Sequence, residues 1–115
     1  MNQKEKNLAL ANDIKDFLIK NNLAVDVRIY FNNTCYDWCD GDHYFKEPKI
    51  LEDIKSTDYF EYGNNDTVSM SFEGDLYDIL NYGDVGSLEN EFYNIFKKHG
   101  CYFEFGYAWS LSVYY

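Results

Sequence analysis

The sequence predicts an α+β domain with a mostly antiparallel sheet of about five or six strands in hairpins, an N-terminal helix, and two later helices packed on one face. Apolar residues recur at helical spacing near the N-terminus and again in the last third of the chain. Other short segments alternate strictly between apolar and polar residues, and turn-forming Asn or Gly residues separate them. The helices and strands do not follow one another in βαβ order, which disfavours a parallel sheet.

Three helices are predicted from apolar stripes and from residues typical of helix ends. The first covers residues 3–20. Its apolar stripe consists of Leu10, Ala11, Ile14, Phe17 and Leu18. A short helix is predicted with Asp75 as its cap and Gly83 as its end. The third helix starts at Ser87 and ends before Gly100, with acidic residues in its first turn and basic residues in its last, as the helix dipole favours.

Alternating segments predict three hairpins. The first joins residues 25–31 to residues 34–38 through the dipeptide Asn32-Asn33, because asparagine tolerates the positive φ of a tight turn. The second joins an extended aromatic segment, residues 58–62, to residues 67–72. The third lies within residues 101–115, where Gly106-Tyr107 fits a two-residue turn with glycine first.

Residues 39–55 follow neither periodicity. Turn-forming residues occupy positions 40–42, and Pro48 disfavours a continuous helix through this part of the chain. Apolar residues after the proline predict a loop with a short helix here (Ile50, Leu51 and Ile54). No repeat, low-complexity tract or linker divides the chain, and 115 residues is the length of one domain. A single domain over residues 1–115 is therefore predicted.

The composition predicts a folded but strongly acidic protein. Hydrophobic residues make up 46% of the chain and aromatic residues 20%, too many for a disordered segment. The net charge is −10, so the chain should repel nucleic acids and anionic membranes, and we expect it to bind neither directly. A basic protein is the expected partner. The alternative is that the excess carboxylates only keep an aromatic-rich protein soluble.

The N-terminal segment lacks the apolar run of a secretory signal, and no run approaches the roughly 20 apolar residues of a membrane helix. Three cysteines, an odd number without a secretory signal, argue against a disulfide framework. We therefore expect a cytoplasmic protein. The oligomeric state is left open by the sequence.

The segment from Ser56 to Phe96 contains the candidate binding residues, because no Lys or Arg occurs between Lys55 and Lys97. Nine carboxylates lie in it: Asp58, Glu61, Asp66, Glu73, Asp75, Asp78, Asp84, Glu89 and Glu91. Four tyrosines are candidate contact anchors beside them: Tyr59, Tyr62, Tyr77 and Tyr82. Clustered like charges repel one another and destabilise a folded chain, so their segregation suggests a function.

Regularly spaced carboxylates can imitate the phosphates of a nucleic acid. Asp75 and Asp78 are three residues apart, so on a helix they project from one face, roughly 5–6 Å apart. A basic groove built for phosphates attracts such an array at long range. The leading hypothesis is therefore a non-enzymatic inhibitor, a DNA mimic that occupies the nucleic-acid channel of a basic enzyme.

In size and charge the chain is similar to the small acidic inhibitors that phages and mobile elements make against host nucleases, a likeness of type that assigns no residue. An anti-CRISPR or anti-restriction protein fits this hypothesis, and an immunity protein for a nuclease toxin is an alternative. A second alternative is an assembly module that binds through its sheet edge or through an outward sheet face rich in Tyr and Ser. That face would consist of Thr67, Ser69, Ser71, Ser110, Ser112, Tyr30, Tyr36, Tyr102 and Tyr114.

Sites for metals or catalysis receive little support. Cys35, Cys39 and His43 have the spacing C-x3-C-x3-H, but structural zinc sites usually need a second ligand pair, so zinc is left open. The aspartates around Gly41 do not follow the calcium-loop pattern. No glycine-rich phosphate loop or nucleophile motif occurs. We therefore expect no cofactor and no catalytic residue, and we assign no metal ligand.

Overall fold

The computed structural model describes residues 1–83 and 86–115, and within them it shows three α-helices and one six-stranded sheet. The elements in chain order are α1 (Gln3–Lys20), β1 (Val27–Phe31), β2 (Thr34–Asp37), β3 (Lys49–Glu52), β4 (Val68–Phe72), α2 (Asp75–Tyr82), α3 (Leu88–Lys98), β5 (Tyr102–Phe105) and β6 (Ser110–Tyr114). All neighbouring strands are antiparallel, in the order β3-β2-β1-β4-β6-β5. The predicted α+β class is confirmed. No helix in the described part of the chain is long and apolar enough to cross a membrane.

Helix α1 has the predicted bounds because both of its ends are fixed locally. The Asn2 side chain accepts a hydrogen bond from the Glu5 N–H at 2.9 Å, and the Glu5 carboxylate accepts one from the Asn2 N–H in return. Asn21 ends the helix, and Asn22 adopts a positive φ of 57°. The predicted apolar stripe is buried against the sheet.

The two later helices also form where predicted, with different caps. Helix α2 begins at Asp75, but the cap position is Gly74, which packs so closely on the chain that an added Cβ would lie 2.5 Å from the Val25 carbonyl oxygen. Helix α3 follows Ser87, although the serine hydroxyl makes no capping hydrogen bond. Gly100 ends α3 with a φ of 71°, which glycine adopts without strain.

The first and third hairpins are confirmed. Phe31 pairs with Thr34, and both Asn32 and Asn33 have positive φ, as the two-residue turn requires. In the third hairpin Phe105 pairs with Leu111, so the turn is longer than the predicted Gly106-Tyr107 pair. Trp109 therefore lies in the turn and not on the strand.

Two segments differ from their predictions. Residues 49–52 form strand β3 on the edge beside β2, and not a short helix, because Ile50 and Leu51 pair with Tyr36 and Cys35 of the neighbouring strand. Residues 58–62 do not form a strand beside residues 67–72. A short 3-10 turn covers Ser56–Asp58, and β4 instead pairs with β1 and β6. Tertiary pairing overrides the local pattern in both segments.

The sheet has one face against the helices and another beneath a loop. Val27, Ile29 and Phe31 join the helices in the main core. The other face is covered by residues 56–66, here called the covering segment. Its Asn64 N–H donates to the Ser69 hydroxyl at 2.8 Å, and the Ser112 hydroxyl donates to the Tyr62 carbonyl at 2.6 Å.

The predicted Tyr/Ser-rich docking face is wrong for most of its residues. Beneath the covering segment Ser69, Ser110 and Ser112 are no more than 2% exposed. Thr67 is buried as well, and Tyr30 packs into a small second core with Cys35 and Phe60. Tyr36 points to the helices, because its strand position faces the main core. Tyr102 alone of the predicted face is largely exposed, at 53%.

Candidate functional site

The predicted acidic residues lie on the surface wherever the structure describes them. Seven of these carboxylates are exposed: Asp58, Glu61, Asp66, Glu73, Asp75, Asp78 and Glu91. Glu89 is half-buried, and Asp84 lies outside the described residues. On α2, Asp75 and Asp78 share the exposed side, while Leu76 is fully buried on the other.

Within the described part of the chain, these exposed carboxylates form no ion pair with a lysine, arginine or histidine. All ion pairs within residues 1–83 and 86–115 use carboxylates from other parts of the chain: Asp13, Asp16, Asp37 and Glu47. Asp58 accepts only a hydrogen bond from the backbone N–H of Lys55, at 3.2 Å. The charge of this acidic surface is therefore not neutralised by ion pairs within the described residues.

The structure does not gather the carboxylates into one array. The sheet register places Glu73, Asp75 and Asp78 beyond the end of the sheet where β4 finishes. Asp66 precedes β4 at the opposite end, where its carbonyl oxygen accepts a hydrogen bond from the Asn7 side chain. Glu91 lies on α3. The candidate surface is therefore the α2 end, defined here by Glu73, Asp75 and Asp78.

Sequence reasoning missed one acidic residue at this end. Asp26 belongs to the connection before β1, far from the acidic segment in sequence. Its carbonyl oxygen accepts the Glu73 N–H at 3.1 Å, so the two residues are neighbours in space. The side chain of Asp26 accepts a hydrogen bond from the Tyr44 hydroxyl at 2.8 Å. Strand pairing brings Asp26 close to Glu73. The alternating pattern of residues 25–31 does not reveal this proximity.

The predicted tyrosine anchors differ in exposure. Tyr59, Tyr62 and Tyr82 are 53%, 62% and 78% exposed, as a contact role requires. Tyr77 is half-buried and packs against the main core, with its ring 6.3 Å from that of Tyr82. Its role is therefore at least partly structural.

Further aromatic side chains continue from the covering segment into the last turn. The Tyr62 ring lies 5.5 Å from the Tyr107 ring, which stacks on Trp109 at 4.9 Å with an interplanar angle of 6°. Trp109 also contacts the Phe60 ring edge-on, at 5.6 Å. The predicted Gly106-Tyr107 turn would place Trp109 on the returning strand of the third hairpin, so sequence reasoning missed this row.

Beside the aromatic row lies a cleft of about 380 Å³. Arg28 and Ser71, paired across β1 and β4, contribute to its floor together with Tyr30. Tyr59, Phe60 and Trp109 provide aromatic walls, while the acidic neighbours Asp26 and Glu73 also line it. Cys39 and Phe72 complete the lining.

Arg28 is the only arginine in the chain, and its position in the cleft is fixed from two sides. Its Nε–H donates to Asp37 Oδ1 at 3.2 Å, and its guanidinium carbon lies 5.5 Å from the centre of the Tyr59 ring. Burial disfavours the charge of Arg28, but interactions with Tyr30 and Asp37 raise its pKa overall. The arginine is therefore a fixed positive charge.

The other ionisable groups around Arg28 divide into charged and neutral ones at pH 7. Burial raises the pKa of Tyr30 to about 12 and that of Cys39 to about 11, so both remain protonated. Burial also acts to raise the pKa of Asp37, but hydrogen bonds from the Cys39 backbone N–H and from Arg28 lower it overall. Asp37 is therefore ionised, and its charge offsets that of Arg28.

The candidate zinc residues serve other roles. Cys35 is buried in the second core, Cys39 lines the cleft, and His43 Nδ1 lies 3.2 Å from the Glu47 carbonyl oxygen. No group of three or more His, Cys, Asp or Glu side chains within residues 1–83 and 86–115 is arranged to hold a metal ion. His99 contacts Asp13 at 2.6 Å, and the Cys101 thiol donates to the Phe96 carbonyl oxygen.

Comparisons with known proteins assign no family to this chain: no family model, curated protein sequence or solved structure matches it.

Proposed function

We propose that this protein is a small acidic inhibitor that binds the basic nucleic-acid-binding surface of a protein target by imitating a nucleic acid. The observation that carries the proposal is the exposed, unpaired set of carboxylates at the α2 end, Glu73, Asp75 and Asp78. The ion pairs of the described residues use other carboxylates: Asp13, Asp16, Asp37 and Glu47.

Unpaired surface carboxylates suit association with a basic groove. Such a groove has evolved to hold a polyanion, and its long-range field acts on carboxylates as it does on phosphates. The chain's net charge of −10 adds to this attraction and accelerates encounter at low salt. Binding alone would block the groove, so the proposal requires no catalytic group.

The exposed aromatic residues beside the carboxylates support a stable contact. Tyr59, Tyr62 and Tyr82 each expose a large apolar ring with a polar hydroxyl tip. Tyrosine is enriched in protein interfaces. The charges would thus speed and orient association, and the aromatic contacts would slow dissociation. In the cytoplasm, an anti-CRISPR or anti-restriction role against a nuclease is the proposed biological setting.

Affinity capture with a matched pair of variants tests this proposal. The immobilised protein is exposed to lysate from the source cells at low salt, and retained proteins are eluted with a salt gradient. The Asp75→Asn/Asp78→Asn variant should lose a nucleic-acid enzyme that the wild type retains. The control, Glu52→Gln/Asp53→Asn, removes the same charge from exposed residues at and after β3, on the far edge of the sheet.

The control variant should retain that enzyme as the wild type does. The proposal is contradicted if both variants retain the same proteins up to high salt, or if the retained partner is an acidic protein with no nucleic-acid-binding surface.

A further inference from the structure

The cleft that contains Arg28 also has the composition of a receptor for a second cation. Asp26 and Glu73 line the cleft with Arg28, and Asp37 contacts the Arg28 guanidinium at 3.2 Å. Two carboxylates that line the cleft and a third that contacts Arg28 thus accompany one positive charge. An entering anion would add to the excess of negative charge, whereas an entering cation would reduce it.

The aromatic residues that line the cleft further limit the kind of cation that it can bind. Tyr59, Phe60 and Trp109 line a space of about 380 Å³, which is large enough for one side chain or small group. Flat aromatic faces bind guanidinium groups well, because these ions are planar and more weakly hydrated than ammonium ions. Carboxylates beside the rings can accept hydrogen bonds from the same group.

Arg28 shows within the molecule how this combination holds a guanidinium. Its side chain lies over the Tyr59 ring while a carboxylate, Asp37, accepts its Nε–H. Among the other lining residues, Trp109 stacks on Tyr107 through one face and contacts the buried Phe60 edge-on. Glu73 is an exposed carboxylate without an ion pair in the described part of the chain.

We propose that this cleft binds the guanidinium group of an arginine side chain presented by the protein partner. The arginine would stack against Trp109 and pair with Glu73 and Asp26, beside Arg28. The inference deepens the proposed function and rests on it for the identity of the partner, since a nucleic-acid-binding groove is rich in arginine. The cleft itself can be tested without that partner.

Nuclear magnetic resonance with a short peptide gives a direct test. The probe is acetyl-Gly-Arg-Gly-amide at millimolar concentration, and the neutral isostere acetyl-Gly-citrulline-Gly-amide is its control. Arg28 gives a single Nε–H signal because the chain has one arginine, and Trp109 gives one of two indole signals. The other indole signal belongs to the fully buried Trp38 and serves as an internal reference, because a ligand in the cleft should not shift it.

The arginine peptide should shift the Arg28 Nε–H and Trp109 indole signals in a saturable way, and the citrulline peptide should not. Glu73→Gln should weaken this binding at least threefold, and Glu52→Gln on the edge strand β3 should leave it unchanged. Backbone spectra of both variants confirm that the fold is intact.

The proposal is overturned if the arginine peptide leaves both signals unchanged, or if the citrulline peptide shifts them equally. It is also overturned if acetyl-Gly-Glu-Gly-amide binds instead, because Arg28 would then act as an anion receptor. If the arginine peptide binds but the affinity capture fails, the guanidinium site is supported and the proposed function is contradicted. Failure of the cleft proposal and failure of the proposed function are therefore distinguishable.

Discussion

Asp37 is a buried carboxylate, 6% exposed, and hydrogen bonds from the Cys39 N–H at 2.8 Å and from Arg28 at 3.2 Å keep it charged. Sequence alternation predicted this residue within the returning strand, but no local pattern indicated its partner. Arg28 is nine residues away in sequence and faces Asp37 through the β1–β2 register. Contacts of this kind depend on strand pairing, which the pattern of either strand alone does not determine.

The lowered pKa of Asp37 predicts a pH dependence with a definite sign. The folded state binds the proton less readily than the unfolded chain, so the carboxylate contributes stability above the ordinary aspartate pKa of about 3.9. That contribution is lost as the pH falls through the lower pKa of the folded state. Asp37→Asn should cost about 1–3 kcal/mol at pH 7.

Urea unfolding at pH 7, 4 and 3 checks the prediction. The difference in unfolding free energy between wild type and Asp37→Asn should shrink below about pH 4. Asp16→Asn, at an exposed carboxylate, is the control and should change stability little at any of these values. A difference that stays constant from pH 7 to pH 3 would show that the charge of Asp37 does not contribute to the unfolding free energy.

Gly74 is a second residue where the structure makes a sharp prediction. An added Cβ would lie 2.5 Å from the Val25 carbonyl oxygen, so the backbone before α2 would have to move. Gly74→Ala should therefore lower the unfolding free energy by about 1–3 kcal/mol. Gly41→Ala is a matched control, since its Cβ would meet only the Tyr44 ring at 3.9 Å.

Thermal unfolding of the two glycine variants measures this contrast. Equal effects at both positions would mean that the loss of glycine itself, and not the close approach to Val25, determines stability.

At the scale of elements, the helices were predicted well and the irregular segments were not. Helix α1 has strong local signals in Asn2, Glu5 and its apolar stripe, so its bounds follow from the sequence. The covering segment has aromatic residues typical of a strand, but Ser56 and Asn64 anchor it as a loop through hydrogen bonds to Asn65 and Ser69. Strand β3 pairs only with β2, and its four residues are too few for a clear period.

The covering segment should depend on Phe60 for its attachment to the sheet. Phe60 is 8% exposed and contacts both Tyr30 and Trp109 edge-on. Phe60→Ala should cost about 3 kcal/mol and speed hydrogen exchange of the Asn64 amide, which donates to Ser69. The amides between β1 and β2 should be much less affected.

Tyr82→Ala is the control for this measurement, because Tyr82 is 78% exposed and lies on α2. Uniform acceleration of exchange across the sheet in Phe60→Ala would indicate that the covering segment and sheet open as one unit.

At the scale of the whole molecule, the acidic segment could be predicted from the sequence, but the positions of its carboxylates relative to one another could not. The absence of Lys and Arg between Lys55 and Lys97 is visible in the chain itself. The fold then separates Asp66 from Glu73, Asp75 and Asp78, and brings Asp26 to Glu73. The Arg28 cleft was not predicted, because its lining comes from five separate parts of the chain.

Unpaired like charges should make stability increase with salt. Screening reduces repulsion among exposed carboxylates, so the midpoint of thermal unfolding should rise between about 20 mM and 0.5 M sodium chloride. Asp75→Asn/Asp78→Asn should be less sensitive to salt than the wild type. A melting temperature independent of salt would show that the segregated charges do not repel one another appreciably.

Competition with DNA tests the central claim most directly. A purified protein partner obtained by the affinity capture is bound to this chain, and a nucleic-acid duplex of about 30 base pairs is titrated into the complex. If the α2 end occupies the nucleic-acid-binding surface, the duplex should displace the chain and no ternary complex should form. A stable ternary complex, with both ligands bound at their separate affinities, would contradict the account.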